Sequence, residues 1–153
     1  MENLQELQNK LEEIKRNLNQ EQQEFFSLKS LQNFLNQYPK LTYYKESVQK
    51  LFIEYFPTME YYNYKIDKET STKIGIEYIM KIGYYYTGQL DFKLKMKLDF
   101  AIFWGVAVDL LLLILGVLHK VYYIPVATGI MLIYWGYLKI FFEKKNKIYA
   151  IGY

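Results

Sequence analysis

The sequence predicts an α+β membrane protein. Amphipathic helices (1–57) and a small antiparallel β-meander (58–99) precede a C-terminal two-helix transmembrane hairpin (100–142) and a short basic, aromatic tail (143–153). Three observations predict it. Leucines near the N-terminus recur at spacings of three and four, residues in the middle alternate apolar and polar, and two apolar runs close the chain.

Leu4, Leu7, Leu11, Ile14 and Leu18 form an a/d heptad stripe. The pattern suits a coiled-coil helix that docks on a partner and, equally, an amphipathic helix packed on its own protein. After a polar stretch from Asn19 to Glu24, Phe25, Leu28, Leu31 and Leu35 resume a helical face up to Pro39. Leu41, Tyr44, Val48, Leu51, Phe52 and Tyr55 mark a further helix, which Pro57 is expected to end. Beyond it the period becomes two. Ile74, Ile76, Tyr78, Met80, Ile82, Tyr84 and Tyr86 alternate, as do Leu90, Phe92, Leu94, Met96 and Leu98. Such alternation favours half-buried strands, with Thr87-Gly88-Gln89 as the turn and Glu60–Ile66 as a third strand; the competing reading is helix, since Ile76, Ile79, Met80 and Gly83 also fit that period.

The apolar runs are Phe100–Leu118, with one charge, and Val121–Leu138, with none. At a rise of about 1.5 Å per residue each reaches roughly 27–28 Å, close to the hydrocarbon thickness of a bilayer. Only His119 and Lys120 separate them, which predicts two passes as a hairpin. Lys93, Lys95, Lys97, Lys139, Lys144, Lys145 and Lys147 flank the runs, against Lys120 alone between them. This asymmetry puts both termini on the cytoplasmic or matrix side of a bacterial or mitochondrial inner membrane. Trp104, Trp135, Lys139, Lys144 and Lys145 are the expected interface anchors, since amphipathic rings and long basic side chains favour the headgroup region.

Composition excludes several function classes. Of 19 basic residues, 14 lie in residues 1–99 beside 14 acidic ones, so no stretch outside the apolar runs has the basic excess that nucleic acid requires. There is no Cys and a single His, His119, and the few serines have no His nearby in sequence. No phosphate loop, nucleophile elbow or zinc motif occurs. No catalytic, metal-binding or cofactor-binding residue is therefore assigned.

One residue stands apart. Asp109 lies in the middle of the first apolar run, where a carboxylate costs about 2.5–3.5 kcal/mol on insertion scales. Ala101, Gly105, Asp109, Leu112 and Gly116 share one helical stripe, and Pro125, Gly129, Leu132 and Gly136 make a comparable groove on the second run. Three roles are open to Asp109: a hydrogen-bonding group between helices, a salt-bridge partner on another subunit, or a titrating group in an ion path. The expected function is a non-catalytic accessory or structural subunit of a larger membrane complex, with the bilayer and other membrane subunits as partners. The alternative is a homo-oligomeric pore, such as a stress or defence effector.

Overall fold

The computed structural model describes residues 4–116 and 125–151, which belong to two compact units. The first is Met1–Leu94 with Asn146–Tyr153, and the second is Lys95–Lys145. Among the described residues 77% are helical, and there are two strands of two residues each. The expected meander is therefore wrong, and so is the α+β class that rested on it.

The N-terminal unit is a helical bundle. Helix α1 (Leu4–Asn17) buries Leu7, Leu11 and Ile14 and packs on α3, so its heptad face is covered by its own chain. Helix α2 (Gln20–Phe25) starts where the Asn19 side chain accepts the Gln22 N–H at 2.8 Å. Helix α3 (Leu28–Gln37) buries Leu28, Leu31, Phe34 and Leu35. Helix α4 (Lys45–Tyr61) carries Pro57 inside it rather than at its end. Its last turn is held by Met59, fully buried beyond the proline. Two large hydroxyl-bearing side chains are built into this core. Tyr55 donates to the Phe26 carbonyl and Tyr86 to the Phe34 carbonyl, each at 2.7 Å. Burial pushes both phenols well above their ordinary value.

The segment expected to be strand is a continuous helical stretch: α5 (Lys68–Ile74), a π-helical segment (Gly75–Met80) and α6 (Lys81–Leu90). Its start is set by Asp67, whose carboxylate accepts the Thr70 N–H at 2.8 Å. The alternation is the sum of two helical faces. Ile74, Ile79, Ile82 and Tyr86 are buried, while Ile76, Met80 and Tyr84, spaced by four, are exposed. The π-helical segment adds one residue to the turn and keeps Gly75 and Ile79 on the buried side. Residues Glu60–Tyr61 close α4, and Asn63 and Tyr64 turn with positive φ, so no strand forms there either.

The alternation at Leu90–Leu98 yields only β1 (Lys93–Leu94), which pairs in parallel with β2 (Ile148–Tyr149). The end of the chain, expected at a membrane interface, is thus part of the N-terminal unit. Asn33 donates to the Ile148 carbonyl at 2.9 Å, and the Ala150 N–H donates to the Ser30 hydroxyl at 2.9 Å. Tyr149 lies against Phe34 and over Gly83, where a Cβ would overlap its ring.

The second unit holds α7 (Leu98–Ile114) and α8 (Val126–Tyr137), the latter continued by a π-helical segment (Leu138–Glu143). The two-helix transmembrane hairpin is not supported. Among the described residues, only Val126–Glu143 is long and apolar enough to cross a membrane. The first run stops short as helix because Gly116, at φ +72°, turns the backbone left-handed two residues past Ile114. The second begins only after Pro125, and residues 117–124, with His119, Lys120, Tyr122 and Tyr123, lie outside the described residues.

Candidate functional site

The second unit is built around Asp109. A helix start leaves its first N–H groups without partners, and Pro125, preceding α8, has no side chain that can accept them. Asp109 fills that role from α7. Its Oδ1 accepts the Ala127 N–H at 2.8 Å, and its Oδ2 accepts the Thr128 N–H at 2.9 Å and the Thr128 hydroxyl at 2.7 Å. The side chain is fully buried. A carboxylate accepting three donors at the positive end of a helix dipole is well matched electrostatically, so the cost of carrying it in an apolar segment is offset inside the chain.

Gly105 makes the contact close enough. It lies one turn before Asp109, and a Cβ there would sit 2.6 Å from the Thr128 Cα. A side chain would push α8 away and lengthen all three hydrogen bonds. Ala101, another turn back, is also fully buried. Of the predicted stripe, Gly105 and Asp109 meet α8, and Ala101 is buried on the same face of α7. The other small residues do not belong to this contact. Gly116 ends α7, and a Cβ at Gly129 or Gly136 would meet nothing within 4 Å. The groove expected on α8 is open.

Of the expected anchors, Trp104 is exposed and stacks near Phe100 and Phe103. The Lys139 ammonium sits over the Trp135 ring at 5.0 Å, and Lys144 and Lys145 are exposed just beyond. Among the described residues no group of three His, Cys, Asp or Glu is placed to hold a metal ion.

Two features escaped the sequence reading. Thr128 supplies two of the three donors to Asp109. The signal for it was a helix start at Pro125 with no capping residue, in a stretch where Asp109 is the only acidic residue between Asp99 and Glu143. The seat for Tyr149 on Gly83 left no signal beyond a glycine in an apolar stretch. Comparison with protein-family models, with curated proteins and with solved structures finds no match to this chain.

Proposed function

We propose that the protein is a non-catalytic subunit of a larger integral membrane complex. Its second unit is embedded in lipid, and its N-terminal unit presents a surface to neighbouring subunits on the cytoplasmic or matrix side. The supporting observation is the inverted polarity of the second unit. Its buried contact around Gly105, Asp109 and Thr128 is small and polar, and Leu138 is the one large apolar side chain buried among its described residues. Its outside carries Phe103 (66% exposed), Ile114 (79%), Ile130 (62%) and Ile133 (75%). Water would drive these large side chains inward, whereas hydrocarbon leaves them outside and rewards internal satisfaction of polar groups. Large apolar side chains exposed in such number on two helices are what a lipid-facing or partner-facing surface carries.

Val126–Glu143 is the segment that reaches across the hydrocarbon in this reading. The commitment of both Asp109 oxygens to α8 favours a structural role for that carboxylate. On the N-terminal unit, exposed Tyr43, Tyr61 and Tyr84 supply the amphipathic side chains that protein interfaces favour.

Extraction from native membranes in mild detergent, followed by native mass measurement, tests the proposal. It predicts a particle of several different polypeptides, present in fixed ratio with this chain. A ring of this chain alone that passes ions in liposomes would replace the subunit reading with the pore.

A further inference from the structure

We infer that the C-terminal end of the span in the second unit is a binding site selective for anionic phospholipid headgroups. The inference rests on the membrane reading above and adds a ligand class to it. Over about two turns, Leu138–Lys145 carries Lys139, Lys144 and Lys145 against one carboxylate, Glu143. The three lysines are exposed. Lys139 is already in position, its ammonium held over the Trp135 ring at 5.0 Å. A ring face engages the charge but accepts no ordinary hydrogen bond, so the N–H donors remain for an oxygen ligand such as a phosphate.

An apolar wall completes the arrangement. Tyr137 packs on Phe141 with ring centroids 5.0 Å apart, and both are exposed. Rings of this kind sit at the level of the ester groups, where they flank a headgroup without competing for its charge. The π-helical geometry of Leu138–Glu143 widens the turn and changes the angular spacing of Lys139 relative to Lys144 and Lys145. The occupant argued for is a lipid with a phosphate bearing net negative charge, because the excess of cations on this one element complements it, and a neutral zwitterionic headgroup gains little from them.

Fluorescence quenching by brominated lipids tests the inference, with Trp135 as the reporter. In Trp104→Phe protein, Trp135 is the remaining tryptophan. The protein is reconstituted into vesicles of mixed phosphatidylglycerol and phosphatidylcholine, with the bromine placed on one lipid or the other. The expected result is a preference of at least about threefold for the brominated anionic lipid, diminishing in salt because surface charge is screened. In Lys139→Gln/Lys144→Gln/Lys145→Gln protein the preference falls toward unity while quenching by the neutral lipid is retained. Equal quenching by both lipids in the starting protein overturns the inference and leaves the membrane reading standing. A preference that survives both the triple substitution and high salt also overturns it. Quenching by neither lipid means that Trp135 is not in a bilayer, and both readings fall.

Discussion

Asp109 is the residue on which the second unit turns, and its three hydrogen bonds order a set of substitutions. Asp109→Asn keeps one oxygen acceptor but presents an amide NH2 to an N–H, so it should weaken the fold of this unit. Asp109→Leu should weaken it far more, because Ala127 and Thr128 then have three donors with no acceptor. Thr128→Val removes one donor and should cost about 1 kcal/mol, measured as a shift in a detergent-denaturation midpoint. A Leu variant as stable as Asn would contradict the capping role. Asp67 offers a test in the N-terminal unit. The Thr70 N–H holds its carboxyl below the ordinary value of 3.8. A carboxylate lowered in the folded state stabilises above its unfolded value, and that stabilisation is lost as pH falls below about 3.8 through the folded value. In an NMR titration the Thr70 amide should therefore move with a midpoint below 3.8, and Asp67→Asn should abolish the step. Asp109 was legible as exceptional because a lone carboxylate in an apolar run is costly wherever it sits. Its partner was not legible, because pairing with Thr128 depends on how two helices meet.

At the scale of elements, glycines separate real contacts from apparent ones. Gly105→Ala must displace the Thr128 backbone and should cost about 1–3 kcal/mol, as overpacking does. Gly129→Ala and Gly136→Ala meet open space and should be neutral or gain up to about 1 kcal/mol from helix propensity. Equal losses at all three would mean that the open face of α8 is packed against something else. Gly83→Ala should expel the Tyr149 ring, seen as faster amide exchange at Tyr149 and Ala150 while α1 and α3 keep their protection. The same stretch shows why periodicity misled. A helix with apolar residues on two faces reads as a strand when the exposed face carries Ile76, Met80 and Tyr84. The burial of Ile74, Ile79, Ile82 and Tyr86 follows the helical repeat, but only tertiary packing distinguishes that stripe from its neighbour. Helix α1 was readable because its opposite face is charged.

The whole molecule combines a helical unit with a conventional apolar core and a second unit of opposite polarity. The first buries Leu, Phe and Tyr and exposes charge. The second buries a carboxylate and exposes Phe, Leu and Ile. That contrast is the central claim, and it predicts different surroundings for the two surfaces. The absence of Cys makes it directly measurable by spin labelling at single introduced cysteines, with the protein in liposomes. Labels at positions 103, 130 and 133 should collide freely with oxygen, which concentrates in hydrocarbon, and poorly with a water-soluble nickel chelate. A label at exposed Tyr61 should show the reverse. Nickel access at 130 and 133 as high as at 61 would place the apolar face of α8 in water and contradict the account.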